Sequence, residues 1–269
     1  MNREDQKHDL EEQSENLAGI THRILVMSGK GGVGKSTVAV NLACALVDEG
    51  FKVGVLDIDI HGPNVSKMIG QKKRPMVVEE QILPAEVMPN MKSISIADFT
   101  NLDSPIVWRG PLKANAIRQL VNQTSWGQLD FLIVDAPPGT GDEPLTVSQI
   151  ITGLRSIVVT TPQEVAKVDV IRALNFVQKL GVAPIGLVEN MSHMKCPECG
   201  KIISLFGGNA GEDLSRSFSI PLLARIPFDP QVAILADEGR TISSYMRGSE
   251  LEKAYRSLSS RVQEELMSQ

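Results

Sequence analysis

Residues 28–37 have the sequence Ser-Gly-Lys-Gly-Gly-Val-Gly-Lys-Ser-Thr and stand between a short apolar run and a segment with helical periodicity. Gly29, Gly34, Lys35 and Ser36 match the pattern G-x-x-x-x-G-K-S/T of a phosphate-binding loop. Glycines let successive backbone N–H groups face phosphate oxygens, and the start of a helix attracts negative charge. The lysine adds a point charge, and the serine hydroxyl is a ligand for Mg²⁺. The loop therefore predicts a strand–loop–helix unit that binds phosphate groups.

The segments around this loop alternate between short apolar runs and stretches of helix length. Strands that are buried on both faces are continuously apolar, so the pattern predicts βαβ units and an α/β fold with a mainly parallel central sheet flanked by helices. Residues 77–98 contain Pro84 and Pro89 and alternate apolar with polar positions near their end. They predict a β-hairpin insertion with a returning strand. The apolar runs lie at residues 23–28, 53–57, 131–135, 156–161, 185–189 and 222–226.

Composition narrows the class of protein. The 269 residues include 27 Lys and Arg and 32 Asp and Glu, a net charge of −5, which gives no overall basic field for nucleic acid or an anionic membrane. The N-terminus lacks the apolar region of a secretory signal, and three cysteines cannot form a disulfide framework. We expect a cytoplasmic protein.

Residues 1–16 carry six acids and a single leucine, which predicts a disordered leader over 1–20, with a short helix as the alternative, and one domain over 21–269.

Two acidic segments follow predicted strands. Residues 57–64, DIDIHGPN, are called here the first acidic loop, and residues 135–142, DAPPGTGD, the second acidic loop. Both lie at the carboxyl ends of parallel strands, where α/β sheets bind ligands. Asp135 follows four apolar residues and fits a residue that acts on Mg²⁺, with Asp57 supporting the ion or the loop. Gly139 is predicted to donate its backbone N–H to a γ-phosphate.

A cysteine pair stands in the turn Cys196-Pro197-Glu198-Cys199-Gly200. Such a turn presents two thiolates on one side, because glycine allows the left-handed backbone that directs N–H groups at sulfur. Flanking lysines favour the thiolate form. A dithiol redox pair, a zinc knuckle and an iron–sulfur site are all compatible with the pair itself.

The number of ligands narrows these alternatives. Structural zinc and a 4Fe–4S cluster usually take four ligands, and this chain has three cysteines. Cys44 lies in the apolar first helix and is expected to be a buried small side chain. His193 is a candidate third zinc ligand, without an evident fourth. Two chains that each contribute Cys196 and Cys199 would supply four thiolates, which predicts a homodimer.

The loop Lys30-Gly-Gly-Val-Gly-Lys35-Ser resembles the deviant Walker A motif of the nitrogenase iron protein, MinD and ParA ATPases. This resemblance implies an ATP-sandwich homodimer in which Lys30 reaches the partner's nucleotide. Asp59 resembles the aspartate that orients the attacking water in this group. Asn190 resembles a residue that binds adenine, and residues 226–229 resemble a loop that walls the base; ordinary turn chemistry is the alternative for both.

The chain carries, in this order, the deviant Walker A loop, the first acidic loop, the second acidic loop and the cysteine pair. Together these four motifs resemble the Mrp/ApbC family of iron–sulfur cluster carrier ATPases, over about residues 20–265. The resemblance implies a P-loop NTPase with slow intrinsic ATP hydrolysis, which binds ATP, Mg²⁺ and a 4Fe–4S cluster between two subunits and delivers the cluster to apo-proteins. Zinc in place of the cluster is an alternative. The expected catalytic residues are Lys30, Lys35 and Asp59; nucleotide-binding residues are Gly29, Lys30, Gly31, Gly32, Val33, Gly34, Lys35, Ser36, Thr37, Gly139, Asn190, Pro227 and Asp229; metal-binding residues are Cys196 and Cys199 for the cluster and Ser36, Asp57 and Asp135 for magnesium.

Two other functions compete with this one. A ParA/MinD-like positioning ATPase would act on DNA or membrane, yet the terminal helix over 251–267 is not strongly basic, and Lys72-Lys73-Arg74 is too short a run for a DNA footprint. We therefore expect neither nucleic acid nor membrane as a partner. A zinc-stabilised regulatory dimer would bind metal and hydrolyse nothing.

Overall fold

The computed structural model describes residues 16–99 and 110–268 of the chain. Most of the predicted leader, residues 1–15, therefore lies outside the described residues. The side chains of Leu17 and Ile20 are buried, and the first strand begins at Ile20. Core packing among the described residues thus includes two side chains that precede position 21, the predicted start of the domain.

The central sheet has eight strands: β1 (Ile20–Ser28), β2 (Val53–Asp57), β5 (Ala85–Met88), β6 (Met91–Ser95), β7 (Leu129–Asp135), β8 (Leu154–Thr160), β9 (Ala183–Asn190) and β12 (Leu222–Ile226). Their order across the sheet is β12-β9-β8-β1-β7-β2-β6-β5. Every neighbouring pair is parallel except β5 and β6. The predicted mainly parallel sheet is confirmed.

Two small antiparallel sheets stand apart from the central one: β3 (Met76–Val78) with β4 (Gln81–Leu83), and β10 (Met194–Lys195) with β11 (Ile202–Ile203). The predicted insertion corresponds to β3–β6, and β6 returns parallel to β2. Its first turn places Glu79 and Glu80 at positive φ, the backbone that a tight two-residue hairpin turn requires.

Helices cover both faces of the sheet: α1 (Lys35–Asp48), α2 (Val65–Met68), α3 (Gly110–Gln123), α4 (Asp142–Ile150), α5 (Lys167–Lys179), α6 (Ala210–Phe218), α7 (Gln231–Asp237), α8 (Ile242–Tyr245) and α9 (Glu250–Met267). Short 3₁₀ turns occupy Ile96–Phe99 and Glu164–Ala166. Within the described ranges, no helix combines the length and the apolar character needed to cross a membrane.

The core explains why the strands have continuous apolar sequences. In β1, Ile24 and Val26 belong to the hydrophobic cluster on one face of the sheet, and Leu25 and Met27 belong to the cluster on the other. All four side chains are fully buried. Since β1 lies between β7 and β8, the loop that follows it leaves from the middle of the sheet.

Candidate functional site

The phosphate-binding loop runs from the end of β1 at Ser28 to the start of α1 at Lys35. Gly32 and Gly34 have φ values of 80° and 81°, in the left-handed region that favours glycine. A Cβ atom at Gly34 would lie 2.2 Å from the side-chain nitrogen of Asn190. Position 34 therefore accepts glycine for both conformational and steric reasons, and the backbone curves into a cradle ahead of α1.

Lys35 points inward, and its ammonium group lies among carboxylates. Its Nζ atom donates a hydrogen bond to Oδ1 of Asp135 at 2.7 Å and lies 3.9 Å from Oδ2 of Asp59. It also lies 3.2 Å from the hydroxyl of Ser36. The side chain is buried. The lysine and the carboxylates of both acidic loops thus meet directly behind the cradle.

Register across the sheet places two acids side by side. Asp57, the last residue of β2, is the register partner of Asp135, the last residue of β7, and both are fully buried. Burial, followed by the charge of Asp135, raises the pKa of Asp57 to about 8. Burial also raises the pKa of Asp135, although Lys35 opposes that shift. Without a further cation, the site holds more carboxyl groups than positive charges.

The chemistry of this cluster fits a magnesium site. Oδ2 of Asp135 is buried and has no hydrogen-bond partner among the described residues. Oxygen atoms of carboxylates and hydroxyls are the ligands that Mg²⁺ accepts beside a nucleotide. Asp57 differs from Asp135 in this respect, since its Oδ2 already accepts hydrogen bonds from the Ser95 hydroxyl and the Val65 N–H. Asp135 and Ser36 are therefore the groups with free capacity for the ion.

Asp59 is held by its own loop. Its Oδ1 accepts hydrogen bonds from the backbone N–H groups of His61 and Gly62, at 3.2 and 3.1 Å. Its backbone N–H donates to Oδ1 of Asp57 at 3.0 Å. Oδ2, the oxygen nearer Lys35, is consequently the one directed toward the phosphate-binding loop.

A cleft of about 620 Å³ lies in front of the cradle. Among the predicted residues, the loop from Gly31 to Thr37 and Asp59 line it, whereas Gly29 and Lys30 do not. The rest of the lining includes Asn64 of the first acidic loop and a set of residues that the sequence analysis missed, because no motif marks them. These residues are Lys67, Met68, Ala233, Ala236 and Asp237.

Two predicted phosphate contacts are occupied by bonds within the chain. Lys30 donates from Nζ to the side-chain oxygen of Gln163, at 2.9 Å. The backbone N–H of Gly139 donates to the carbonyl of Ser28, at 2.8 Å. The roles predicted for Lys30 and Gly139 each require exchange of the bond described here.

The predicted base-binding residues lie at the ends of two neighbouring strands, β9 and β12, where Asn190 is the register partner of Ile226. Asn190 is buried at the end of β9, and its side-chain N–H donates to the carbonyl of Val33 at 2.9 Å, so it supports the phosphate-binding loop from behind. Pro227 and Asp229 line a different cavity, of about 700 Å³, together with Cys196. The structure therefore places residues 227–229 next to the cysteine pair.

The cysteine pair stands at the tip of the β10–β11 hairpin. The N–H of Cys196 donates to the carbonyl of Lys201, and the N–H of Gly200, at a φ of 72°, donates back to the carbonyl of Cys196. Backbone N–H groups of Cys199 and Glu198 point at the Cys196 sulfur and lower the pKa of that thiol. Cys199 is exposed. The turn thus favours a thiolate at the half-buried Cys196, beside the exposed Cys199.

The remaining candidate metal ligands are committed elsewhere. His193 lies between the Ser192 hydroxyl, 3.0 Å from Nδ1, and a carboxylate oxygen of Glu250, 3.2 Å from Nε2. Cys44 is fully buried in α1, where burial raises the pKa of its thiol to about 12. Within residues 16–99 and 110–268, no three or more His, Cys, Asp or Glu side chains come together to hold a metal ion by themselves, so the magnesium site of Asp135 and Ser36 would also need oxygen atoms from the nucleotide or from water. Among the described residues, Cys196 and Cys199 are therefore two candidate ligands that stand together.

The glycine loop follows the carboxyl end of a central parallel strand, and its buried lysine faces acids at the ends of two neighbouring strands. This arrangement defines a P-loop nucleotide-binding protein. Comparison with known families gives the particular group. The chain belongs to the ParA family described as NUBPL iron-transfer P-loop NTPase, which it matches over residues 19–263.

Curated relatives share much of the sequence. The iron-sulfur cluster carrier protein of Methanocaldococcus jannaschii is 45% identical over 228 residues, which cover 84% of this chain and 79% of that protein. The cytosolic Fe-S cluster assembly factor NUBP2 of Bos taurus is 43% identical over 232 residues, covering 84% and 86%.

Solved structures share the fold. A nucleotide-binding protein from Archaeoglobus fulgidus, in complex with ADP, superposes with a TM-score of 0.76 at 38% identity over 86% of this chain and 91% of that one. The cell division ATPase MinD of Pyrococcus furiosus superposes with a TM-score of 0.65 at 26% identity, covering 90% and 98%.

Proposed function

We propose that the protein is an ATP-hydrolysing iron–sulfur cluster carrier that holds a 4Fe–4S cluster between two identical subunits and transfers it to apo-proteins. The observation that carries the proposal is the pair of a half-buried Cys196 and an exposed Cys199, which offers two thiolates where a cluster needs four. A second copy supplies the missing pair across a two-fold axis. Relatives named as iron-sulfur cluster carriers at 40–47% identity support this function.

The nucleotide half of the function rests on Lys35 and the acidic loops. Lys35 binds the β- and γ-phosphates by giving up part of its present contact with Asp135, and the cradle of backbone N–H groups holds the rest of the triphosphate. Asp135 and Ser36 would hold Mg²⁺, which neutralises charge on the phosphates. Asp59 orients the attacking water through Oδ2 by accepting its hydrogen bond. Intrinsic turnover is slow, because Lys30 and Gly139 are held away from the cleft until a partner subunit or ligand exchanges their bonds.

The turn from Cys196 to Gly200, called here the knuckle, has thiolate chemistry that suits temporary binding of the cluster. Hydrogen bonds to the Cys196 sulfur stabilise a thiolate, and the exposed position of Cys199 lets an acceptor's cysteines reach the cluster. A bovine relative named as a cytosolic factor supports a cytoplasmic site of action. Zinc binding to the same four thiolates is the competing outcome, and it would make the protein a zinc-stabilised dimer.

The test is anaerobic reconstitution with iron and sulfide, followed by ultraviolet–visible absorption, metal analysis and determination of mass in solution. We expect about four irons per dimer, since the cluster is shared. Cys196→Ala and Cys199→Ala should each abolish iron binding, and Cys44→Ala is the matched control that keeps it. Four irons on each single chain, or a stable zinc content without iron, would contradict the carrier. Equal rates of cluster transfer to an apo-acceptor with and without ATP would show that ATP hydrolysis has no role in the transfer step.

A further inference from the structure

A cation on α3 joins the two acidic loops. The Nζ atom of Lys113 lies 3.0 Å from a carboxylate oxygen of Glu143 and 2.7 Å from Nε2 of His61. His61 belongs to the first acidic loop, and Glu143 follows the second acidic loop in the first turn of α4. One side chain from a third element therefore contacts both segments that border the phosphate-binding site.

The chemistry of the contact fixes the role of each partner. A lysine ammonium group has donors and no acceptor, so Nε2 of His61 is the acceptor in this hydrogen bond. The carboxylate of Glu143 accepts a second, charge-assisted hydrogen bond from the same nitrogen. Lys113 thus binds one acceptor from the first acidic loop and one from the helix that follows the second acidic loop.

Burial makes this arrangement more than a surface ion pair. The side chain of Lys113 is 14% exposed and that of Glu143 is 7% exposed. A charge pair at this depth is screened far less than an exposed one, and removal of one partner leaves the other uncompensated. The His61 ring is the solvent-facing arm, with 70% of its side chain exposed.

The arrangement acts on a residue of the site through one further bond. The backbone N–H of His61 donates to Oδ1 of Asp59, so the His61 ring, held by Lys113, fixes the segment that orients this carboxylate. Glu143 lies two residues after Gly141, and its attachment to the same ammonium fixes the end of the second acidic loop. We propose that Lys113 is a positioning residue for ATP hydrolysis, which clamps the two acidic loops and holds Asp59 at its working distance from the phosphates.

This inference rests on the proposed ATPase activity, and its test is a steady-state measurement of ATP hydrolysis by the full-length protein with Mg²⁺ over a range of ATP concentrations. Lys113→Met keeps most of the length of the side chain and removes its donors. Loss of the clamp should lower kcat roughly ten- to hundredfold, because small errors of position are costly in a reacting complex. KM for ATP should change little, since the cradle and Lys35 are untouched. Lys113→Arg, which restores donors to both acceptors, should recover most of the lost rate.

The matched control is Arg118→Met. Arg118 lies on the same helix and also contacts α4, through Gln149, but reaches neither acidic loop. It should leave kcat and KM at their normal values. If Lys113→Met behaves like Arg118→Met while the unmodified protein hydrolyses ATP, the clamp is refuted and the ATPase stands. If the unmodified protein does not hydrolyse ATP, the proposed function itself fails.

A second variant guards against simple loss of folding. Lys113→Met leaves the buried carboxylate of Glu143 without its cation, so the double variant with Glu143→Gln removes that unpaired charge. The double variant should unfold at nearly the normal temperature and still hydrolyse ATP slowly. Full recovery of kcat in the double variant would overturn the proposal, because the rate would then depend on the stray charge and not on the clamp. His61→Ala combined with Lys113→Met should be no slower than Lys113→Met alone, as expected for two parts of one device.

Discussion

Replacement of Lys35 by methionine tests whether the buried charge cluster is balanced by this one ammonium group. Lys35→Met keeps most of the apolar stem and removes the cation that lies 2.7 Å from Asp135. The side chains of both partners are almost fully buried, at 6% and 1% exposure. The variant should therefore lose ATP binding and also unfold more easily, even in the absence of nucleotide.

The expected loss of stability follows from the burial of the pair. Removal of one partner of a buried ion pair costs about 3 kcal/mol or more, because the remaining charge is left uncompensated. For a chain of this size, ~1 kcal/mol corresponds to a shift of roughly 2–4 °C in Tm. The melting temperature of Lys35→Met should therefore fall by roughly 6–12 °C at a pH where the acids are ionised.

The loss should depend on pH with a definite sign. Burial raises the pKa of Asp57 from 3.8 to about 8 in the folded protein, so this carboxyl contributes stability that is fully present below its unfolded value and is lost as pH rises through about 8. Removal of Lys35 raises the pKa of Asp135 further, because the lysine is what holds it down. Protonation relieves the unpaired charge in acid. The deficit of Lys35→Met should therefore be smaller near about pH 6 and larger near about pH 9.

The assay is scanning calorimetry of both proteins at several pH values, with Lys67→Met as the control. Lys67 makes an ion pair of the same 2.7 Å length with Asp237, but these side chains are 62% and 76% exposed. Solvent screening limits that pair to about 1 kcal/mol or less, so Lys67→Met should melt close to the normal temperature. Equal effects of Lys35→Met and Lys67→Met, or a deficit that shrinks as pH rises, would refute the reasoning.

Three further changes have expected outcomes. Asp59→Asn should keep ATP affinity in a filter-binding assay while phosphate release falls at least about tenfold, because a weaker acceptor orients the water; undiminished release would remove Asp59 from this role. Cys44→Ala should retain iron binding and lower the free energy of unfolding by about 1 kcal/mol through a small cavity, and loss of iron would contradict the two-cysteine site. Ser249→Ala should cost about 1 kcal/mol in urea unfolding, because the Ser249 hydroxyl accepts the N–H of Glu252 at the start of α9; an unchanged midpoint would deny the cap a role.

The parallel sheet was predictable because its strands are buried on both faces. Continuous apolar runs such as Ile24–Met27 arise when consecutive side chains enter two different hydrophobic clusters, and helix-length spacing between runs then implies crossovers. The burial of two residues ahead of the predicted domain was harder to predict. Leu17 and Ile20 are isolated apolar residues in a polar segment, and their burial depends on a surface that distant parts of the chain create.

In the candidate site, too, some features could be predicted from the sequence and others could not. Local motifs were sufficient to predict the glycine loop, because a left-handed backbone ahead of a helix leaves a direct mark on the sequence. The pairing of Lys30 with Gln163 and of Lys113 with Glu143 joins residues 133 and 30 positions apart. Such contacts depend on how loops from separate strands converge at one edge of the sheet. A single sequence gives no local sign of them.

The hydrogen bonds that stabilise the Cys196 thiolate also make the protein sensitive to air. Thiolates are the form of cysteine that reacts with dissolved oxygen and with alkylating reagents, and Cys199 stands three residues away as a partner for oxidation to a disulfide, with oxygen as the oxidant. The knuckle belongs to neither hydrophobic cluster, so its oxidation leaves the fold intact. Protein stored without a reductant should therefore bind less iron while it gives an unchanged melting curve, and the history of a sample will govern its apparent metal content.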